Sequence, residues 1–232
     1  MEDGSILLWG AGSKARIIHH MLAESDHASG PGLIFDPTRD EPAYASDVEF
    51  TPDISRLADR ISDMLHYVVC VGGAFGEARV RIGEALERCG LKPVELISAH
   101  AIVDTTSTVG SGLQAMPGSV VHKFCSVGRD CILNTNCTVD HECVIGDGVH
   151  VMGGASIAGR VTIGEFATIG TNATILPDLR IGSGAYVAAG AVVTKDVPPG
   201  TVVAGVPSRH LKDNVTTWDH ETVRALIRLV LD

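Results

Sequence analysis

The chain has 232 residues, of which 45% are hydrophobic and only 4% aromatic, and its formal net charge is −10. This length accommodates one large or two modest domains. The negative charge argues against a nucleic-acid partner, and without a secretory signal or a bilayer-spanning apolar run we expect a cytoplasmic protein with no membrane association.

Residues 1–98 are predicted to form a small α/β domain, because strand-like and helix-like segments alternate along them. On the helix from Glu77 to Cys89, Arg79 is expected on the solvated side. The predicted elements are strand 5–9, helix 14–24, strand 32–36, helical spacing over 53–65, strand 67–73, helix 77–89 and strand 93–97.

A glycine turn, Gly10-Ala11-Gly12-Ser13-Lys14-Ala15, connects the first strand to the first helix. Its G-x-G-x-x-A form lets backbone N–H groups approach a phosphate at a helix N-terminus. The second strand ends in Asp36, where dinucleotide folds place the acid that binds a ribose hydroxyl. We therefore predict that Gly10, Gly12, Ser13, Lys14 and Asp36 bind a nucleotide.

Three interpretations of this turn stay open. A dehydrogenase would need a complete doubly wound sheet and a catalytic domain, whereas only about 95 residues precede the next segment. A nucleotide or nucleotide-sugar pocket fits that space better than NAD. The glycines can also serve only as a tight turn.

From Ala101 to about Asp196 the chain is an uninterrupted six-residue repeat. Every sixth residue from Val103 to Val193 is aliphatic, and glycine and other turn-forming residues lie mainly between these positions. A hexapeptide period is typical of a β-solenoid. Three hexads close one triangular coil of 18 residues, and the coils stack at about the ordinary strand spacing of 4.8 Å.

Four of the six cysteines, at 125, 131, 137 and 143, occupy one position of the repeat. A zinc cluster is one interpretation, and small core residues with reduced thiols is the one that we favour.

After the repeat, the segment Gly205-Val206-Pro207-Ser208-Arg209 is followed by an amphipathic helix over residues 216–231. The helix is short and carries mixed charges, so we expect it to pack on the solenoid or on a neighbouring molecule. Arg209 is either a phosphate ligand or an exposed cation at a chain turn.

One window of the repeat, Asp140-His141-Glu142, is chemically richer than a turn requires. Imidazole is a suitable general base near neutral pH, and a neighbouring carboxylate can fix its tautomer and stabilise the imidazolium. His122 has no such setting and is expected at the surface. The alternative is that His141 is a solvated turn residue.

The 18-residue period places Gly159 one coil above His141. We expect the absent side chain to leave room for a ligand above the histidine, and the backbone N–H to act in an oxyanion hole. His150 lies half a coil away on another face, so it is expected to approach His141 only of a neighbouring chain.

The repeat resembles the left-handed parallel β-helix of the hexapeptide-repeat acyltransferases. That resemblance implies a left-handed coil, a homotrimer with active sites between subunits, and acyl-CoA in the groove between neighbouring solenoids. The segment ending at Arg209 resembles the family's terminal segment near the CoA nucleotide.

The α/β domain followed by Asp-His-Glu and His150 resembles the branch of bacterial nucleotide-sugar N-acetyltransferases and sialic acid O-acetyltransferases. The resemblance implies that His141 is the general base, Glu142 its charged neighbour and His150 a second histidine of the site. It places Asn134 near the acceptor amine and Gly159 against acetyl-CoA. Ser13-Lys14 departs from the glycine-histidine that the family often has there.

We therefore predict an acetyl-CoA-dependent acetyltransferase that acts on the 4-amino group of a UDP- or GDP-linked deoxysugar, without a metal. The predicted domains are 1–98, a Rossmann-like nucleotide-sugar domain; 99–210, the β-helix; and 211–232, the terminal helix. The alternatives are an O-acetyltransferase acting on a sugar such as sialic acid, and a non-catalytic solenoid that binds a nucleotide.

Overall fold

The computed structural model describes residues 5–25 and 30–231. The chain forms two compact units that interleave along the sequence. The first consists of the chain up to Val71, Arg81–Leu96 and the segment from Trp218 onward; the second consists of Gly72–Val80 and Ile97–Thr217. As a division into independent domains, the segments 1–98, 99–210 and 211–232 stay a prediction.

The first unit is built on a five-stranded parallel sheet with the order β3-β2-β1-β4-β5. The sequence analysis missed its short edge strand β3. Between β1 and β4 the strand order reverses, and open parallel sheets bind ligands at the carboxyl ends of such strands. The strands are β1 (Ser5–Trp9), β2 (Pro31–Phe35), β3 (Glu49–Thr51), β4 (Met64–Val69) and β5 (Lys92–Pro93).

The described residues contain four α-helices and one 3₁₀ turn. None of these helices is long and apolar enough to cross a membrane. They are α1 (Ser13–Ala23), α2 (Ile54–Arg60) with the 3₁₀ turn Ile61–Asp63, α3 (Gly76–Arg88) and α4 (His220–Leu231).

The terminal helix α4 packs against α2 within the first unit, with Val223 and Leu226 buried. We expected it to pack on the solenoid or on a neighbouring chain. The amphipathic pattern correctly predicted that one face of α4 is buried. Such a pattern does not indicate which part of the structure covers that face.

The second unit is a parallel β-helix in three sheets, with two-residue strands except for the last two strands of the third sheet, which are longer and pair antiparallel with each other. One sheet contains Ile102–Val103, Val120–Val121, Thr138–Val139, Ser156–Ile157, Thr174–Ile175 and Val192–Val193. The second contains Thr108–Val109, Ser126–Val127, Val144–Ile145, Thr162–Ile163 and Arg180–Ile181. The third contains Leu96–Ile97, Gln114–Ala115, Ile132–Leu133, His150–Val151, Thr168–Ile169, Tyr186–Val187, Thr201–Ala204 and Arg209–Asp213.

Strand pairing follows the 18-residue coil that the repeat predicted. Val121 pairs with Val139, and Val139 pairs with Ile157 one coil further on. The aliphatic positions from Ala115 to Val193 are fully buried in one continuous column. Each buried Val, Ile or Leu contributes about 1.5–3 kcal/mol of transfer free energy, so this column stabilises the stacking of the coils.

At one corner position of the hexads, from Gly112 to Gly190, the backbone is left-handed. Glycine, asparagine and aspartate adopt this conformation at low cost, and they occupy most of these corners. Bulkier residues also stand there, among them Phe124, Glu142, Arg160 and Phe166, each with φ near 60°. Most of these corners therefore hold the predicted turn-forming residues, and a few hold large side chains that are not needed to form a turn.

The four cysteines of the repeat are buried inside the β-helix. Their thiols lie near carbonyl oxygens of the following coil: Cys125 Sγ is 3.0 Å from Asp140 O, and Cys131 Sγ is 3.2 Å from Gly146 O. Burial raises the pKa of Cys131 and of Cys137 to about 12. These residues are core side chains with weak S–H donors.

Thiol reactivity tests this assignment. At pH 8 we expect the native protein to react promptly with a disulfide reagent only at Cys89, which is half-buried, and at all six cysteines after unfolding. Absorbance of the released chromophore counts the thiols. Prompt reaction of two or more thiols in the folded protein would contradict the burial of the other five cysteines.

Arg79 is fully buried, which corrects the expected solvated position. Within the second unit its Nε donates to Asp130 O at 3.1 Å and its Nη2 to Gly148 O at 2.6 Å. Burial lowers the pKa of Arg79 to about 10. The guanidinium thus joins residues 72–80 to two coils of the β-helix through carbonyls that only the tertiary fold brings near.

Replacing Arg79 with alanine is expected to lower the free energy of unfolding by about 3 kcal/mol, because two buried carbonyls lose a charged donor and a cavity remains. Urea unfolding measures this change. Arg81→Ala is the control: its side chain is exposed and pairs with Glu84, so it should cost less than about 0.5 kcal/mol. Equal losses in the two variants would contradict the anchoring role of Arg79.

Candidate functional site

His141 stands at a corner of the β-helix, between the strands Thr138–Val139 and Val144–Ile145. Its side chain is 37% exposed, and its Nδ1 lies 2.9 Å from Glu142 Oε2. A carboxylate accepts a hydrogen bond, so in the neutral imidazole Nδ1 carries the proton and Nε2 keeps the lone pair. The corner therefore presents Nε2 as a base.

Glu142 adopts the left-handed conformation with φ 59°. A glutamate there is strained by comparison with glycine or asparagine, and such strain is often kept where a side chain has a function. Its carboxylate is half exposed and is positioned to stabilise an imidazolium at His141.

Asp140, the other carboxylate beside His141, has a different role from the one that the sequence suggested. Its Oδ1 accepts the backbone N–H of His141 at 2.8 Å and lies 3.2 Å from Nδ1 of His122. Asp140 therefore fixes the corner backbone, and only Glu142 contacts the ring. His122 is exposed as expected, but it has a carboxylate partner, which its position 18 residues before Asp140 indicates.

Gly159 lies directly over the His141 ring, as the 18-residue period predicted. A Cβ at this position would be 2.5 Å from His141 Cε1 and even nearer to Nε2. The space that the missing side chain leaves is thus occupied by the imidazole itself, which corrects the expectation that it is free for a ligand. The N–H of Gly159 donates to no acceptor within residues 5–25 and 30–231, and its suggested oxyanion role stays a prediction.

Asn134 and His150 do not join this cluster within the chain. Asn134 lies at the preceding corner, where its Oδ1 accepts the N–H of Thr135 at 2.8 Å. His150 is 5% exposed in the third sheet, and its Nδ1 lies 3.0 Å from Gly73 O. Because that carbonyl is an acceptor, neutral His150 carries its proton on Nδ1.

The glycine turn in the first unit lies at the end of β1, beside the end of β4. Gly10 has φ 114°, and a Cβ there would be 3.2 Å from Cys70 O, so only glycine fits without strain. Asp36 is 8% exposed, and its Oδ2 accepts the N–H of Ala11 at 2.8 Å, while its Oδ1 accepts the N–H and hydroxyl of Thr38. Asp36 therefore holds the turn together, and a contact with a ribose stays a prediction.

The helix α1 begins directly after Gly12 at Ser13, and no side chain caps it. Arg39 lies at the same end: its Nη2 is 3.7 Å from the position of a Cβ on Gly12, and its Nε is 3.6 Å from Asp36 Oδ2. Together with Lys14, this end of α1 has the positive charge and backbone donors that suit a phosphate. The sequence analysis did not find Arg39.

Arg209 is exposed at the first position of the strand Arg209–Asp213, which pairs antiparallel with Thr201–Ala204. Its Nη1 donates to the carbonyl of the adjacent Ser208 at 2.8 Å. The rest of the guanidinium faces solvent, and its contact with a CoA phosphate stays a prediction. Within the described ranges no group of three or more His, Cys, Asp or Glu side chains could hold a metal ion.

Comparison with known proteins identifies the repeat. The bacterial transferase hexapeptide (six repeats) family matches residues 142–177 and 161–195, two overlapping segments that begin directly after His141 and include Glu142 and Gly159. No match to a curated protein sequence was found.

Three solved structures are similar over about nine-tenths of the chain. A histidine-to-asparagine variant of perosamine N-acetyltransferase from Caulobacter crescentus, in complex with CoA and GDP-perosamine, is 26% identical with a TM-score of 0.79, covering 90% of this chain and 98% of that one. The acetyltransferase domain of PglB from Neisseria gonorrhoeae, in complex with acetyl coenzyme A, is 29% identical with a TM-score of 0.77 and coverages of 90% and 100%. WeeI from Acinetobacter baumannii is 27% identical with a TM-score of 0.76 and coverages of 89% and 99%.

The predicted fold class, an α/β region followed by a left-handed β-helix and a terminal helix, is confirmed. Residues 142–195 thus match the bacterial transferase hexapeptide family, and about nine-tenths of the chain is similar in structure to solved acetyltransferases.

Proposed function

We propose that this protein transfers an acetyl group from acetyl-CoA to the 4-amino group of a nucleotide-linked deoxysugar. The observation that carries the proposal is the His141 corner, where Glu142 holds Nδ1 at 2.9 Å and leaves Nε2 as the basic atom. The likeness to an N-acetyltransferase that binds CoA and GDP-perosamine, and to a domain that binds acetyl-CoA, supports the same chemistry.

The reaction is a direct transfer without a covalent enzyme intermediate. The amine nitrogen attacks the thioester carbon, and His141 Nε2 takes the proton that the nitrogen loses. Glu142 stabilises the resulting imidazolium, while the Gly159 N–H is a donor for the oxyanion. The carbon–sulfur bond then breaks, and the imidazolium returns the proton to the CoA thiolate. A neutral amine is a good nucleophile, so a metal ion has no necessary part.

The glycine turn is the proposed site for the nucleotide. The N-terminus of α1 offers backbone donors to a diphosphate, with Lys14 and Arg39 as the nearby cations. Asp36 already has partners on both carboxylate oxygens, so a ribose hydroxyl would share them.

A panel of acceptors tests the proposal. CoA release from acetyl-CoA would be followed with UDP- and GDP-4-amino-deoxysugars, free sialic acid and serine. We expect rapid release with one nucleotide amino sugar and none with serine. Release only with sialic acid would replace the proposal with O-acetylation, and tight nucleotide binding by calorimetry without any turnover would favour a binding module.

We further propose a homotrimer in which each site lies between two subunits. His141 is partly exposed at its corner, and Asn134, which we propose to lie near the acceptor amine, stands at a different corner of the same chain. A head-to-tail ring of three would combine the His141 of one chain with the Asn134 of the next. The free, mostly buried thiols are consistent with a cytoplasmic location.

Mixed trimers test the shared site. His141→Ala and Asn134→Ala chains are each expected to be inactive alone, whereas co-expressed chains should recover about a quarter of the wild-type activity, because one interface in four pairs two intact residues. Light scattering should give about three times the chain mass of 24.3 kDa. A trimer without recovered activity would contradict the shared site.

A further inference from the structure

Charged side chains occupy the corner position of Glu142 and the same position in the next two coils. Arg160 and Asp178 follow Glu142 at intervals of one coil, because Glu142 and Arg160 differ by 18 residues and so do Arg160 and Asp178. All three have left-handed backbones, with φ of 59°, 60° and 64°. Arginine gains nothing from this conformation, so its presence between two acids indicates a role for its side chain.

Arg160 forms its ion pair with Asp178, the acid one coil above it. Its Nε donates to Asp178 Oδ1 at 2.6 Å and its Nη2 to Asp178 Oδ2 at 2.8 Å, a two-point pair that fixes the plane of the guanidinium. The pair raises the pKa of Arg160 and lowers that of Asp178. The described residues show no ion pair between Arg160 and Glu142, although the charge of Glu142 acts on Arg160.

Glu142, one coil below Arg160, contacts the imidazole of His141. Glu142 Oε2 lies 2.9 Å from His141 Nδ1. Arg160 therefore stands between two carboxylates and bonds to one of them. If Asp178 could not accept, the long arginine side chain would have Glu142 as its nearest carboxylate one coil below.

We infer that Asp178 is a positioning residue, which holds Arg160 away from Glu142 and so keeps Glu142 on His141 Nδ1. This inference rests on the proposed role of His141 as the base. Asp178 itself touches neither substrate nor reacting atom in this account. Its effect passes through Arg160, because a guanidinium on Glu142 would compete for the carboxylate and offset the negative charge that stabilises the imidazolium.

The test uses three variants of the full-length protein: Asp178→Asn, Arg160→Gln and the double variant. Asp178→Asn keeps the size of the side chain, removes its charge and replaces one of the two acceptor oxygens with an NH2 donor, which breaks the two-point pair, so we expect kcat to fall about threefold to fivefold, the scale of an exposed ion pair. Arg160→Gln should stay close to the wild-type rate. The double variant should return to the rate of Arg160→Gln, because the competing cation is gone.

A readout without substrate separates this inference from the proposed function. Nitrogen-15 NMR of the imidazole, assigned by its loss in His141→Gln, reports the hydrogen bond at Nδ1. We expect the Nδ1 signal to move toward that of an unbonded imidazole in Asp178→Asn and to recover in the double variant. This holds even if no acceptor turns over, in which case only the proposed function fails.

Two results would overturn the inference. One is an Asp178→Asn protein with unchanged Nδ1 signal. The other is a double variant as impaired as Asp178→Asn, since Asp178 would then act by some route other than Arg160. Recovery in the double variant, in both rate and NMR signal, would establish the positioning role.

Discussion

Replacing His141 with alanine is expected to lower kcat for acetyl transfer by about 10²–10⁴-fold, the range that a positioned general base supplies. The KM for the acceptor should change little, because the imidazole acts on the proton that moves in the transition state rather than on the bound ground state. Steady-state kinetics with the acceptor found in the panel measures both quantities.

The matched control is His122→Ala, which removes another exposed histidine of the same corner region. His122 contacts Asp140 at 3.2 Å and not the ring of His141, so its loss should reduce kcat by only a few fold. Both variants should unfold at the wild-type temperature, since neither side chain is buried. A His141→Ala protein that keeps more than a tenth of the activity would contradict the assignment of the base.

Replacing Gly159 with alanine is expected to reduce kcat about 10²-fold without loss of the fold. The new methyl group would lie 2.5 Å from His141 Cε1, so the imidazole must turn away from its position beneath residue 159. A displacement of about 1 Å of a reacting group is enough for an effect of this size. The backbone of Gly159 is not left-handed, so its conformation is compatible with alanine and the fold is retained.

Gly72→Ala serves as the control for this variant. It is the same substitution in the same unit, at a position where a Cβ meets nothing within 4 Å. Its activity should match the wild type, and circular dichroism should confirm that both variants fold. If Gly159→Ala were fully active, the ring of His141 would not depend on the space above it.

The sequence was most informative in the β-helix, because its period translates directly into positions. Six residues give a strand and a corner, and 18 residues give the coil, so the stacking of Gly159 on His141 followed from counting alone. The same count connects His122 with Asp140, but it was applied only to the residues that the resemblance had marked.

Long-range contacts were not predictable in this way. Arg79 reads as a solvated helix residue, and its burial depends on two carbonyls, of Asp130 and Gly148, that the pattern cannot place. The contact between the Asp36 carboxylate and the N–H of Ala11 was likewise not predicted from the sequence. The hydrophobic period and the residue propensities predict which face of a helix or strand is buried, but they do not indicate which residues cover that face.

The most direct test of the central claim is the fate of a carbon-13 acetyl group from labelled acetyl-CoA, followed by NMR with a nucleotide-linked 4-amino-deoxysugar. We expect one labelled amide on the 4-amino nitrogen, formed by the wild type and not by His141→Ala at the same protein concentration. A labelled ester on a sugar oxygen, or free labelled acetate with the amino sugar unchanged, would contradict it.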